Sequence, residues 1–248
     1  MTAGQAPTYF ISDLHLEISR PALIAAFKEF LFTTASDAKA IYILGDFFDA
    51  WIGDDDNSAL VADIKSALTQ RSASGTPIYF THGNRDFLIG EKFAQQANVI
   101  LLPEEQVIDL YGTFALLLHG DQLCTDDVDY LAFRRKVRNP AWQKKMLAYP
   151  LWLRKLIAAY MRHKSRKAHQ QKSDEIMDVA EETVSATFKH HKVRKMIHGH
   201  THRPAKHTHV IDGNPSERFV LGDWRDTGWY LKADADEIQL IEFQISAT

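Results

Sequence analysis

Five short motifs in this chain of 248 residues place Asp, His and Asn where apolar runs end. They are Ser12-Asp13-Leu14-His15, Gly45-Asp46-Phe47-Phe48-Asp49, Gly83-Asn84-Arg85-Asp86, His119-Gly120-Asp121 and His198-Gly199-His200-Thr201-His202. Carboxylate, amide and imidazole donors of this kind suit borderline divalent ions such as Mn²⁺, Fe²⁺ or Zn²⁺. They offer no thiolate for a closed structural zinc site. Each motif alone is weak, because a D-x-H or H-x-H is more often a surface or structural feature. The set becomes specific only if all five ends meet in space.

The elements that must position them are legible in the same runs. Strand candidates are Pro7–His15, Ala40–Asp49, Pro77–Asp86, Phe114–Asp121, Val193–His202, Arg218–Asp223 and Glu237–Ile245. Several are apolar throughout, as expected of strands covered on both faces. Helix candidates at Pro21–Thr34, Ser58–Arg71 and Gly90–Ala97 alternate with them, which argues an α/β fold with layered sheets. In such folds functional groups gather at the carboxyl ends of strands, so the five motifs are expected to converge.

The alternation breaks after Asp121. From Asp126 to Lys192 there is only helical periodicity: one helix from Asp127 to before Pro140, one over Ala141–Ala148, one starting at Pro150 and one over Asp174–His190. This block carries an unusual charge. Between Tyr130 and Ser173 there are 13 Lys/Arg and no Asp or Glu, leaving 16 basic against 32 acidic residues in the rest of the chain. A net charge of −3 therefore hides a basic module inside an acidic body. With 45% apolar and 25% charged residues the chain can bury a sizeable core. No run reaches the 18 or more apolar residues of a membrane span. The single Cys124, read as a packing residue, fits a reducing compartment, and the start of the chain has no secretory pattern, so a cytoplasmic location is expected.

The ordered series D-x-H, G-D-x-x-D, G-N-x-D, H-G-D, G-H-x-H resembles the calcineurin-like metallophosphoesterase superfamily over about 1–124 and 193–248. The resemblance implies an αββα sandwich interrupted by an all-helical lid, with core segments 1–124 and 193–248 and a lid over 125–192. It further implies that Asp13, His15 and His202 hold one metal, that Asn84, His119 and His200 hold a second, and that Asp46 bridges them. Two such cations polarise phosphoryl oxygens and lower the pKa of a bound water. His198 matches no ligand position and is read as structural. Asp49, Asp86 and Asp121 are read as groups that orient ligands.

Arg85 departs from the commoner G-N-H-D/E form, in which the His is a candidate proton donor to a leaving alcohol. A guanidinium donates no proton usefully at neutral pH but grips phosphate oxygens in a fork. A phosphate monoester, with a second pKa of about 6, leaves without protonation. Arg85 thus favours a pyrophosphate over an alkyl monoester as the bond cleaved.

The basic module refines the substrate. Trp152, Leu156, Ala159 and Tyr160 fall along one side of a helix, adjoined by Leu153, Ile157 and Met161 and flanked by Arg154, Lys155, Arg162 and Lys164. Such a surface suits an amphiphile with an anionic head group, or an anionic membrane surface. Nucleic acid is the competing anion, but the aliphatic content exceeds what backbone binding needs.

The stretches Gly83–Asp86, His119–Asp127, Arg138–Gln143 and Ser165–Val179 extend the resemblance over the whole chain, to lipid-directed pyrophosphohydrolases of the superfamily. That resemblance implies Mn²⁺ as the metal and a glycolipid nucleotide as substrate, cleaved in lipid A biosynthesis by water attacking the α-phosphorus. It implies head-group contacts from Asn84, Arg85, Asp127, Ser165, His169, Lys172 and His200; His169 stands where an Asn is expected. Acyl chains would lie near Tyr130, Phe133, Trp152, Ile157 and Met161. The enzyme would sit peripherally on the cytoplasmic face of the inner membrane, with no nucleic acid and no obligatory protein partner. The alternative reading is another dinuclear phosphoesterase, a soluble nucleotide-diphosphate hydrolase or a nuclease.

Overall fold

The computed structural model describes residues 5–171 and 178–246, the side chains of 165–171 excepted. Two sheets lie face to face. Strands β1 (Thr8–Ile11), β2 (Ala40–Leu44), β3 (Ile78–Thr81), β4 (Ile100–Leu101), β10 (Thr227–Ala233) and β11 (Ile238–Gln244) form one, in the order β11-β10-β1-β2-β3-β4. Strands β5 (Glu105–Leu110), β6 (Thr113–Leu118), β7 (Lys195–His198), β8 (Ala205–Ile211) and β9 (Asn214–Val220) form the other, in the order β5-β6-β7-β9-β8.

The period of two along the strands explains the layering. Tyr9 and Ile11 of β1, and Ile41 and Ile43 of β2, face helices α1 (Pro21–Glu29), α2 (Ala59–Ala73) and α3 (Glu91–Ala97), in a core with Phe27, Ile64 and Phe93. Phe10 and Leu44, from the same strands, face the second sheet and pack with Leu117, Ile197 and Phe219. On the far side of that sheet Leu116, Leu118 and Met196 meet Val184 and Phe188 of α7 (Glu181–His191). Each central strand is therefore covered on both faces, which is why its sequence is apolar throughout.

Helices α4 (Val128–Val137), α5 (Pro140–Leu147) and α6 (Leu151–Gln171) follow β6. Asp127 caps α4 by accepting from the Tyr130 amide at 3.0 Å, and Asn139 caps α5, where Pro140 occupies the first turn. Helix α7 lies within the 125–192 stretch that the sequence reads as one insertion, yet it belongs to the helical layer of the second sheet. Its first residue is Glu181 rather than Asp174, and residues 172–177 lie outside those described. Strands β4, β5, β8 and β10 have no counterpart among the sequence candidates.

The acid-free segment is riveted to the acidic body by arginines. Arg154, 3% exposed, donates to the carbonyls of Tyr149 and Ile52 and pairs with Asp55. Arg162 pairs with Asp49, while Arg134 and Arg138 share Glu104 at 2.8 and 3.2 Å. Arg154 and Arg162, read as flanking the apolar surface of this helix, are thus engaged by carboxylates of the acidic body.

Candidate metal centre

Strands β1, β2 and β3 are parallel neighbours, as are β6 and β7, so their carboxyl ends meet at one edge of the two stacked sheets. Asp13, Asp46 and Asn84 leave the first sheet there, and His119, His200 and His202 leave the second. Backbone bonds lock the loops together: Asp13 N donates to Gly45 O at 3.1 Å, His15 N to Asp46 O at 3.0 Å and Gly199 N to His119 O at 2.9 Å. The His200 amide crosses between sheets to Asp13 Oδ2 at 2.9 Å.

The loops are held under strain. Asp13, His15, Asp46, His200 and His202 have φ between 46° and 70°, in the left-handed region. Strain of this kind in non-glycine residues persists where the surroundings over-determine it, commonly at functional sites. Two glycines permit the close approach. A Cβ on Gly83 would lie 2.2 Å from the Asp46 amide nitrogen, and one on Gly199 would lie 2.1 Å from Asp13 Oδ2.

Two clusters of ligand atoms result. In one, Asp13 Oδ1 lies 3.3 Å from His202 Nε2, which lies 3.5 Å from His15 Nε2. In the other, Asn84 Oδ1 lies 3.0 Å from both His119 Nε2 and His200 Nδ1. Asp46 stands between them, Oδ2 3.9 Å from His15 Nε2 and Oδ1 3.7 Å from His119 Nε2. Asp13, Asp46 and His119 also bring ligand atoms within 4.8 Å of one another.

The chemistry of these atoms fits a cation. His119 Nδ1 lies 2.8 Å from the Leu44 carbonyl and donates to it, so in the neutral ring Nε2 presents a lone pair to the Asn84 oxygen. His15 Nδ1 is buried without a hydrogen-bond partner among the described residues. Burial pulls His200 down to about 3 and His15 to about 4, keeping both neutral and able to ligate. Burial, reinforced by Asp86 and Asp13 against the opposing pull of His119, raises Asp46 to about 7. Asp13 is held well below the usual carboxylate range: burial opposes this, but His202, His119 and His15 outweigh it. A divalent ion would keep Asp46 ionised and occupy the gap between facing acceptors.

Other residues support these loops. Asp86, fully buried, accepts from the amides of Phe47 at 2.8 Å and Gly83 at 2.7 Å, clamping two ligand loops together. Asp49 and Asp121, read as ligand orienters, bind arginines of α6 and α4: Arg162 takes Asp49, and Arg134 donates to Asp121 at 2.8 Å. His198 is buried; its Nδ1 donates to Gly199 O at 2.8 Å and its Nε2 meets Arg218 at 3.1 Å, a structural role. Two supports were not singled out from the sequence: Ser12 Oγ donates to Asp13 at 2.6 Å, and Asp223 lies 3.5 Å from His202 Nδ1. Asp223 could have been found, since Arg218–Asp223 is another apolar run ending in Gly-Asp. Cys124 is buried with its thiol pushed up to about 12, chiefly by burial and Asp121, so no thiolate nucleophile is present.

Arg85 is half-buried, and no hydrogen bond or ion pair holds its guanidinium among the described residues, although its backbone carbonyl accepts from Trp51 at 2.9 Å. Its charge is felt by both His15 and Asp46. Tyr130 of α4 lies over His200, ring centroids 6.0 Å apart and inclined by 29°. Ile157 and Met161 are half-buried, whereas Trp152, Leu156 and Tyr160 form an exposed stripe, 61–68% accessible, and Phe133 is 40% exposed. Trp152 is thus not brought together with Ile157 and Met161. Ser165, His169 and Lys172 lie outside the residues described to the side chain.

Sandwiched sheets with this cluster at one edge define a phosphoesterase scaffold. The chain belongs to the calcineurin-like phosphoesterase family, whose model matches residues 6–204. Within it the chain is similar to the UDP-2,3-diacylglucosamine hydrolase of Serratia proteamaculans, 52% identical over 236 residues covering 95% of this chain and 98% of the relative. The proteins of the same name from Shigella dysenteriae and Cellvibrio japonicus are each 50% identical, covering 95% and 96% of this chain and 98% and 99% of theirs.

Proposed function

We propose that this chain hydrolyses the pyrophosphate bond of UDP-2,3-diacylglucosamine, releasing UMP and 2,3-diacylglucosamine 1-phosphate in lipid A biosynthesis. The observation that carries this reading is Arg85, a guanidinium beside the cluster that no hydrogen bond or ion pair holds among the described residues, in a chain about half identical to hydrolases named for that substrate. Two divalent ions, Mn²⁺ in this reading, would be held by Asp13, His15 and His202, and by Asn84, His119 and His200, with Asp46 shared. When bound, they supply Lewis acidity and a nucleophilic water.

The chain's own residues do the rest. Asp46, poised between both clusters, holds them at a common distance. Arg85 draws the phosphate oxygens toward the cluster, and no side chain need protonate a leaving phosphate monoester. Attack at the α-phosphorus then leaves the lipid carrying the second phosphate. Asn84, Asp127 and His200 stand at the cluster or the mouth of α4, where the head group would lie. Ser165, His169 and Lys172 are assigned to the same head group by resemblance.

Acyl chains would rest against the half-buried Tyr130, Ile157 and Met161 under the lid. The exposed stripe of Trp152, Leu156 and Tyr160, bordered by Lys155 and Lys164 in a stretch of sequence that carries no acid, suits peripheral contact with the anionic cytoplasmic face of the inner membrane. Among the described residues no helix is long and apolar enough to cross a membrane. The test is UMP release from detergent-solubilised UDP-2,3-diacylglucosamine with Mn²⁺ and with a chelator. Turnover of ADP-ribose or soluble diesters in its place would favour the nucleotide-hydrolase or nuclease reading.

A further inference from the structure

Helix α4 connects the lid to the ligand cluster through a charged network. Asp121, fully buried, accepts from the Tyr130 hydroxyl at 2.6 Å and from Arg134 Nε at 2.8 Å on the same oxygen. The Tyr130 ring covers the His200 imidazole. The other edge of Arg134 donates to Glu104 at 2.8 Å; Glu104 also pairs with Arg138 at 3.2 Å, and Arg138 donates to the carbonyl of Gly83 at 2.9 Å, next to Asn84. Arg134 thus stands where two chains of contacts meet, one leading to His200 and one to the Asn84 loop. Its side chain is 14% exposed. A lysine could reach Asp121 or Glu104 but lacks the fork that serves both.

We infer that Arg134 is a positioning residue for the cluster of Asn84, His119 and His200, acting through Asp121 and Tyr130 on one side and through Glu104 and Arg138 on the other. Removing the guanidinium takes from the buried Asp121 carboxylate its charged donor and leaves the Tyr130 hydroxyl on it. Asp121 can then shift together with the Tyr130 hydroxyl it still binds, so the ring is held less firmly over His200, and Glu104, released by Arg134, steadies Arg138 and the Gly83–Asn84 loop less well. Lid and metal ligands are set together, so the face that receives the substrate is aligned by the same residue that fixes the ligands. This inference rests on the assignment of the cluster as a metal site.

The test uses the full chain and its Arg134→Met, Arg134→Lys and Tyr130→Phe variants. Mn²⁺ affinity is measured by titration calorimetry on metal-free protein, dinuclear coupling by electron paramagnetic resonance, and kcat and KM on UDP-2,3-diacylglucosamine. The expected result for Arg134→Met is a loss of about 10–100-fold in Mn²⁺ affinity or kcat, with a weakened coupled signal and little change in KM, as is typical when a ligand's outer support is removed. Arg134→Lys should recover part of that loss. Tyr130→Phe keeps the ring but not its hydroxyl and should fall between parent and Arg134→Met. A folded Arg134→Met with Mn²⁺ affinity, coupling and kcat within about threefold of the parent would overturn the inference. If Arg134→Met does not fold, a Tyr130→Phe variant indistinguishable from the parent overturns it instead. A parent that binds Mn²⁺ but leaves the lipid substrate untouched sinks the proposed function, while the Mn²⁺ affinities still decide this inference.

Discussion

Replacing Arg154 by Met should loosen the lid without unfolding the sandwich. The guanidinium is 3% exposed and donates to Tyr149 O at 2.9 Å, to Ile52 O and to Asp55. Met keeps much of the methylene packing but supplies no donor. Each carbonyl left without its partner costs about 1–3 kcal/mol. Asp55 is 53% exposed, so its pair adds at most about 1 kcal/mol. Taking about 1 kcal/mol for the part-buried Tyr149 carbonyl and about 2 kcal/mol for the buried Ile52 carbonyl gives about 3 kcal/mol, a shift of about 150-fold in the equilibrium for local opening. The assay is residue-resolved hydrogen exchange. Amides 52–56 and 149–164 should lose about two orders of magnitude of protection, while β1 to β3 keep theirs. Asp55→Asn, which spares both carbonyl bonds, should change exchange less than about fivefold. Protection at 149–164 that stays within threefold in Arg154→Met would refute the reasoning. Equal effects of the two substitutions would show that the ion pair, not the carbonyls, anchors the lid.

Other consequences follow from the ligand cluster and the lid. Asp46 titrates near 7 in the metal-free protein, so lowering the pH from 8 to 6 protonates a ligand and should weaken Mn²⁺ binding about tenfold by calorimetry. His119 and His202, both held above the usual imidazole range by nearby carboxylates despite burial, act in the same direction, whereas neutral His15 and His200 add nothing; an affinity independent of pH contradicts the assignment. Asp46→Ala should abolish turnover and lower bound metal, while Lys172→Ala should raise KM with metal content unchanged; equal metal loss in both variants argues against a bridging Asp46 and a substrate-binding Lys172. Gly83→Ala forces a Cβ to 2.2 Å from the Asp46 amide nitrogen and should cost both stability and metal, seen as a lower Tm and reduced Mn²⁺ stoichiometry. Alanine at Trp152, Leu156 and Tyr160 together should reduce sedimentation with anionic vesicles and leave kcat on detergent-solubilised substrate unchanged.

What could be read without coordinates follows from physical pattern. The ligand residues were legible because each closes a doubly covered strand, and doubly covered strands are conspicuous apolar runs. Strands β5 and β8 were not, because one face meets solvent: Ala205–Ile211 alternates half-buried and exposed positions and carries Lys206, His207 and His209. Helix α7 looks like part of the basic insertion by position, and only its contacts with Leu116 and Met196 assign it to the sandwich. The excess of Lys/Arg was plain in the composition, but its partners were not. Arg162 meets Asp49, 113 residues away in sequence, and Arg154 meets Asp55, 99 away. The arginine partners of Asp49 and Asp121 were likewise invisible in the sequence, since Arg162 and Arg134 lie in the helical segment, outside the motifs. The left-handed backbone at Asp13, His15, Asp46, His200 and His202 leaves no compositional trace, because loop closure across two sheets imposes it.

The most direct test of the proposed reaction is hydrolysis of UDP-2,3-diacylglucosamine in ¹⁸O-water with Mn²⁺, followed by mass spectrometry of both products. Attack at the α-phosphorus predicts one ¹⁸O in UMP and none in 2,3-diacylglucosamine 1-phosphate. Label in the sugar phosphate, or no UMP at all, would contradict the account.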